Sequence, residues 1–150
     1  FDNAKWIITP TLKSNKESQN KLSKLISSMG CDICTTTPII HDQSVALISH
    51  LPIYIASCLI KTASSSENRD LLKLSHQIAS SGFKDTSRVG GGNSSLGLDL
   101  AINNRQNILN SLQSFKENIC EIENNIKNEE WEILIEKLDD SKNCRNYFCN

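Results

Sequence analysis

The sequence predicts a mainly α-helical protein that opens with a short strand–helix–strand segment, and three observations predict it. Before Pro38, two short runs rich in apolar or β-branched residues flank one helical repeat. After Pro38, apolar residues recur at steps of three and four almost to the end. The composition, 38% hydrophobic and 22% charged with three prolines and six glycines in 150 residues, is neither disordered nor collagenous nor low in complexity. That length suits one domain, or one domain carrying a fragment of another.

Trp6-Ile7-Ile8 is an apolar run stopped by Thr9 and Pro10, as a buried strand would be. Ser14 with Glu17 matches a capping box. Leu22, Leu25, Ile26 and Met29 follow at helical spacing, and Gly30 supplies the stop. Cys31 to Thr37 reads as a second strand. A strand, a helix and a strand in so few residues imply a parallel pair joined by a crossover helix. Two strands alone make no stable sheet. Residues 1–38 are therefore expected to be the tail of an α/β domain whose main body lies upstream, and residues 39–150 a helical domain.

Thr37 caps the next helix with Pro38 at its first position. This helix is expected over about Ile39 to Ser64 and to be buried all round, because its middle is apolar on almost every side. Pro52 falls inside it and should kink it. A third helix is expected over Glu67 to Ser81, closed by Gly82, with a loop from Gly82 to Gly97. From Leu98 to about Asn128 the residues Ile108, Leu112, Phe115, Ile119, Ile122 and Ile126 form a coiled-coil-like seam. A helix of that length spans about 45 Å, which favours packing against a second chain. A last helix carries Trp131, Leu134, Ile135 and Leu138, and the tail from Ser141 is expected to fray. No repeat at a solenoid period is evident.

Sixteen basic against seventeen acidic residues leave a formal charge of −1, which argues against a nucleic-acid footprint. The apolar stretch from Val45 to Ile60 contains Ser49, His50, Pro52 and Ser57, and is expected to be too short and too polar to cross a bilayer. No secretory signal pattern opens the chain. A soluble cytoplasmic protein is the expectation. The six cysteines then read as reduced and mostly packing. Cys31-x-x-Cys34 lies in a strand, where residues three apart face opposite ways, so it is a poor half of a zinc site.

Two segments can carry chemistry. His41, Ser49 and Pro52 fall roughly on one side of the long helix, and polar groups beside a kink can line a cavity. His50 also reads as a core histidine bonded to neighbouring backbone. In the loop, Lys84, Asp85 and Arg88 stand beside three glycines, Gly90 to Gly92. The planar, permanently charged guanidinium of Arg88 suits a carboxylate, although such a cluster also reads as a solvated turn. GGGN lacks the dinucleotide spacing and no strand precedes it, so no nicotinamide-cofactor loop is present.

HDQSVALISHLP at 41–52 and SSGFKDTSRVGGGN at 80–93 closely resemble the prephenate/arogenate dehydrogenase family. WIITPT at 6–11 and the NRQNILNSLQSF helix fit as well, so the resemblance covers essentially the whole chain. It implies the C-terminal, all-helical, dimerising half of a two-domain dehydrogenase, preceded by the end of its Rossmann domain. The reaction implied is oxidative decarboxylation of prephenate or arogenate in tyrosine biosynthesis. The HPMAG-type motif with the general-base histidine is absent, so NADP (or NAD) and the base belong to an N-terminal domain outside this chain. Alone, the fragment is expected to be an inactive homodimer.

On matching positions the resemblance makes Arg88 the grip on a substrate carboxylate and Asp85 part of an ionic network that orders the pocket. Ser49 and His41 become polar groups facing substrate. Ser81 and Gly82 form a turn whose backbone approaches ligand. Many prephenate-using members carry a histidine where this chain has Ile53. A cationic histidine would oppose arogenate's ammonium, so the resemblance favours arogenate, with NADP as the usual partner of that branch. Two alternatives remain: a helical dimerisation or regulatory module without a pocket, and the helical half of a β-hydroxyacid-type dehydrogenase.

Overall fold

A computed structural model describes residues 4–148. Two compact units are present, residues 1–108 and 109–150. In the first, β1 (Lys5–Ile8) and β2 (Asp32–Thr35) pair in parallel with Trp6 opposite Ile33, and α1 (Lys16–Ser28) crosses between them. Ile26, 1% exposed, is the buried anchor of α1. Gly30, at φ 79°, ends the helix in the left-handed region that glycine tolerates. The predicted capping box is corrected by one residue. Asn15 caps α1 by accepting from the Ser18 N–H at 2.9 Å, while the Ser14 hydroxyl accepts from the Thr11 N–H.

Thr37 caps α2 (Pro38–Val45) as expected, its hydroxyl accepting from the Ile40 N–H. Next come a five-residue π turn, Ala46–His50, and α3 (Leu51–Ser64). The expectation that this rod is buried all round is corrected. Ala46, His50 and Ala56 are buried, but Leu47 and Ile48 are 55% and 62% exposed. Its predicted inability to span a bilayer is corrected on length as well: Pro38–Ser64 runs 27 residues without interruption, long and apolar enough by composition to do so.

α4 (Arg69–Ile78) is capped by Asn68, which accepts from the N–H groups of Asp70 and Leu71. The predicted loop from Gly82 to Gly97 is mostly helical. It contains α5 (Ser81–Ser87), a 3-10 turn (Arg88–Gly91) and the start of α6 (Ser94–Asn103). Gly82 lies inside α5 rather than closing the preceding helix. Short polar residues took up helix because Asn93 caps α6 and because the 3-10 turn packs on α3. The continuous helix expected from Leu98 is broken at Asn104, where α7 (Arg105–Lys127) begins.

The second unit holds the remainder of α7 and α8 (Trp131–Arg145). Lys137 pairs with Glu121 across this hairpin, and the Asn125 amide donates to the Glu130 carboxylate at 2.8 Å. Helix continues through Arg145, so the fraying expected from Ser141 is corrected; Cys149 and Asn150 lie outside the described residues. Among the described residues the packing role assigned to the cysteines holds for Cys31 alone, since Cys34, Cys58, Cys120 and Cys144 are exposed. Cys34, Cys58, Cys120 and Cys144 carry free thiols, and the described residues contain no cluster able to hold a metal.

The chain exposes 12022 Å². Two separate compact bodies of these sizes would together expose about 9000 Å². Large apolar side chains, among them Leu47, Ile48, Ile102 and Ile135, are part of that exposed surface.

Candidate functional site

Pro52 determines the shape of the first half of the site. In an α-helix its ring would collide with the carbonyl four residues back. The chain relieves this with the π turn, in which the Leu51 N–H bonds to the Ala46 carbonyl five residues back. The widened turn sends Ser49 outward and His50 inward, where it is 8% exposed. Burial holds the His50 imidazole below its usual range, and His41 lowers it further against the opposing pull of Asp42. The expected backbone partner of His50 is replaced by a side chain: the amide nitrogen of Asn104 lies 3.4 Å from its Nδ1. His41, on α2, is partly buried with its Nδ1 2.9 Å from Asp42 Oδ1.

The second half is the α5–turn–α6 segment. Gly90 makes it rigid. A Cβ at that position would fall inside the van der Waals radii of the Ser57 nitrogen and the Ala56 carbonyl carbon, and 2.8 Å from the Ala56 Cβ. Only glycine lets the 3-10 turn lie this close on the backbone of α3. The Tyr54 hydroxyl donates to the Gly97 carbonyl at 2.8 Å and ties α3 to α6. Burial raises the pKa of that phenol. Together α3, the turn and α6 border a half-open cavity of about 350 Å³ lined by Ile53, Tyr54, Ser57, Val89, Asn93 and Gly97, among others.

Each sequence-derived candidate has a definite place. Ile53 is half-buried and lines this cavity. Ser49 lies exposed on the π turn, and His41 one helix earlier. Ser81 and Gly82 form the exposed first turn of α5; Ser81, with Lys84 and Ser87, lines a second, open concavity. Asp85 is exposed on α5. Arg88 is exposed at the start of the 3-10 turn, two residues from Gly90 and next to Val89 of the cavity wall. Neither Asp85 nor Arg88 has an ion pair or side-chain hydrogen bond among the described residues. The fold thus fixes the platforms of the candidates and leaves the charges of Asp85 and Arg88 unpaired among the described residues.

Sequence reasoning missed Tyr54, Gly90 and Asn104. Gly90 stood in the glycine run, but which of three glycines meets a helix is a tertiary fact. The same packing answers whether GGGN might cradle a nucleotide phosphate: Gly90 is spent on α3, and a two-stranded pair supplies no cofactor crevice.

The family model described as "Prephenate dehydrogenase, dimerization domain" matches residues 37–140. The prephenate dehydrogenase of Bacillus subtilis (strain 168) is 28% identical over 145 residues, which are 97% of this chain and 38% of that protein. A crystal structure of Synechocystis arogenate dehydrogenase superposes with a TM-score of 0.93 at 38% identity, over 99% of this chain and 53% of that one. The prephenate dehydrogenase of A. aeolicus, solved in complex with hydroxyphenyl propionate and NAD+, shares the fold with a TM-score of 0.86 at 24% identity, over 96% of this chain and 50% of that one. The chain spans about half the length, or less, of these proteins.

Proposed function

Because the chain belongs to the prephenate dehydrogenase family, in the part its model describes as the dimerization domain, we propose that it is the helical, substrate-contacting half of an arogenate dehydrogenase. Residues 1–38 are the end of the nucleotide-binding domain, and residues 39–150 the substrate-binding and dimerisation domain. NADP (or NAD) binds in the part of the enzyme beyond this chain, where it accepts the hydride, and the general base lies there too. The complete protein is a soluble cytoplasmic homodimer, its second copy covering the apolar rod from Pro38 to Ser64.

The observation that carries this reading is the setting of Arg88. A guanidinium without an ion pair among the described residues stands on a turn that Gly90 pins to α3. The turn holds the backbone of Arg88 in place before a carboxylate docks, the side chain orders on docking, and two parallel N–H donors give that carboxylate one orientation. Ser49 and His41 offer hydroxyl and imidazole to the polar end of the substrate. Ser81 and Gly82 approach it with backbone, and Asp85 balances the charge at the mouth. Ile53 puts a neutral, non-bonding wall in the cavity, which leaves an ammonium group unopposed. The 38% identity to an arogenate dehydrogenase supports the same substrate.

The test is an assay of the full-length enzyme with both compounds. A higher kcat/KM for arogenate is expected, and Ile53→His should shift the ratio toward prephenate by about tenfold, the worth of one directed charge interaction. A native preference for prephenate would contradict the assignment.

A further inference from the structure

Asn104 is the residue at which α6 and α7 part, with φ −128° and ψ 35° outside the helical region. Nevertheless its backbone keeps the helical ladder, donating to Leu100 and accepting from Ile108. The departure from helical angles therefore serves the side chain. Its Nδ2 donates to the Asp42 carbonyl at 2.7 Å and lies 3.4 Å from His50 Nδ1. Its Oδ1 accepts from Asn107 Nδ2 at 2.8 Å. A backbone carbonyl only accepts, so the nitrogen of the amide faces Asp42 and its second hydrogen is directed at His50.

These two partners bracket the π turn: Asp42 lies in α2 ahead of it, and His50 is its last residue. One amide thus holds both shoulders of the widened turn across a distance no local hydrogen bond covers. Between them Ser49 faces out. A π turn is rare and is found mostly at functional sites; here Pro52 forces it, and the Asn104 amide fixes its two ends.

We propose that Asn104 is a positioning residue for the reaction: its amide clasps the π turn at Asp42 and His50 and so aims Ser49 at the substrate. The proposal rests on the reading that Ser49 faces the substrate.

The experiment is a double-mutant cycle in the full-length enzyme with Asn104→Asp and Ser49→Ala, reading kcat and KM separately along with the melting temperature. Asn104→Asp keeps the acceptor for Asn107 and nearly the same shape while removing both donations, so the variant is expected to fold; Asn104→Ser is the second variant should it not. Each single change is expected to lower kcat/KM about tenfold, and the double variant to be little worse than Ser49→Ala alone, because a misaimed hydroxyl and an absent one are equivalent. The loss of melting temperature caused by Asn104→Asp should be the same with and without Ser49. Kinetic losses that multiply would overturn the clasp while leaving Ser49 its role. A kinetically silent Ser49→Ala would overturn the placement of Ser49 itself, and the clasp's purpose with it.

Discussion

Gly90 lies flat on the backbone of Ser57, so close that the nitrogen of Ser57 occupies the space a β-carbon would need. This single approach couples the two segments that carry the candidate residues. The turn beginning at Arg88 cannot move without sliding along α3, and α3 begins at the π turn.

Gly90→Ala should therefore act at a distance. The added methyl meets main chain, which cannot rotate away, so the turn has to lift from α3 at a cost of about 1–3 kcal/mol. Thermal unfolding of the full-length enzyme should start at a lower temperature, and kcat/KM should fall with it. Gly91→Ala is the control, because nothing lies within 4 Å of a Cβ there.

How far this was legible from sequence depends on the range of the interactions. Thr37-Pro38, Gly30 and the parallel pair were readable because each is fixed by a few neighbouring residues. Pro52 announced a disturbance in the long helix, and its form, a π turn, follows from where the freed backbone bonds go. The segment from Gly82 to Gly97 read as loop because its glycines and serines have low helix propensity. It is helical because Gly90 and Tyr54 fasten it to α3, and contacts between residues that far apart leave no periodic trace. The long rod read as buried because its residues are apolar; one side of it is buried, while Leu47 and Ile48 stay exposed within the chain. Arg88 was singled out by its charge chemistry and by the family resemblance, and its position beside the cavity wall was not readable.

Acid should weaken the fold through His50. Its pKa is lowered in the folded protein, chiefly by burial, relative to an unfolded value of about 6.5. Above that value both states are neutral and the packing of His50 contributes fully. As the pH falls below it, the unfolded chain takes up the proton first, and the contribution drains away until the folded pKa is passed. The melting temperature of the full-length enzyme should drop more between pH 7.5 and pH 5 than that of His50→Gln, which has no proton to gain. Parallel curves for the two proteins would remove His50 from the account.

Glu129 ends α7 with φ 56°, in the left-handed region where a β-carbon is strained. Its N–H bonds to the Ile126 carbonyl and that of Glu130 to the Asn125 carbonyl, the paired closure of a Schellman motif that normally carries glycine. Glu129→Gly should stabilise the hairpin of α7 and α8 by about 0.5–1 kcal/mol, measured by chemical denaturation, whereas Glu129→Ala, which keeps the strained β-carbon, should not.

Arg88→Ala in the full-length enzyme is the most direct test of the substrate grip. The side chain is exposed and makes no internal ion pair among the described residues, so the melting temperature should not change. The loss of kcat/KM should correspond to about 2–4 kcal/mol, as for removal of one partner from a desolvated charge pair. Unchanged kinetics with an unchanged melting temperature would return Arg88 to the solvated surface and contradict its role in holding the substrate carboxylate.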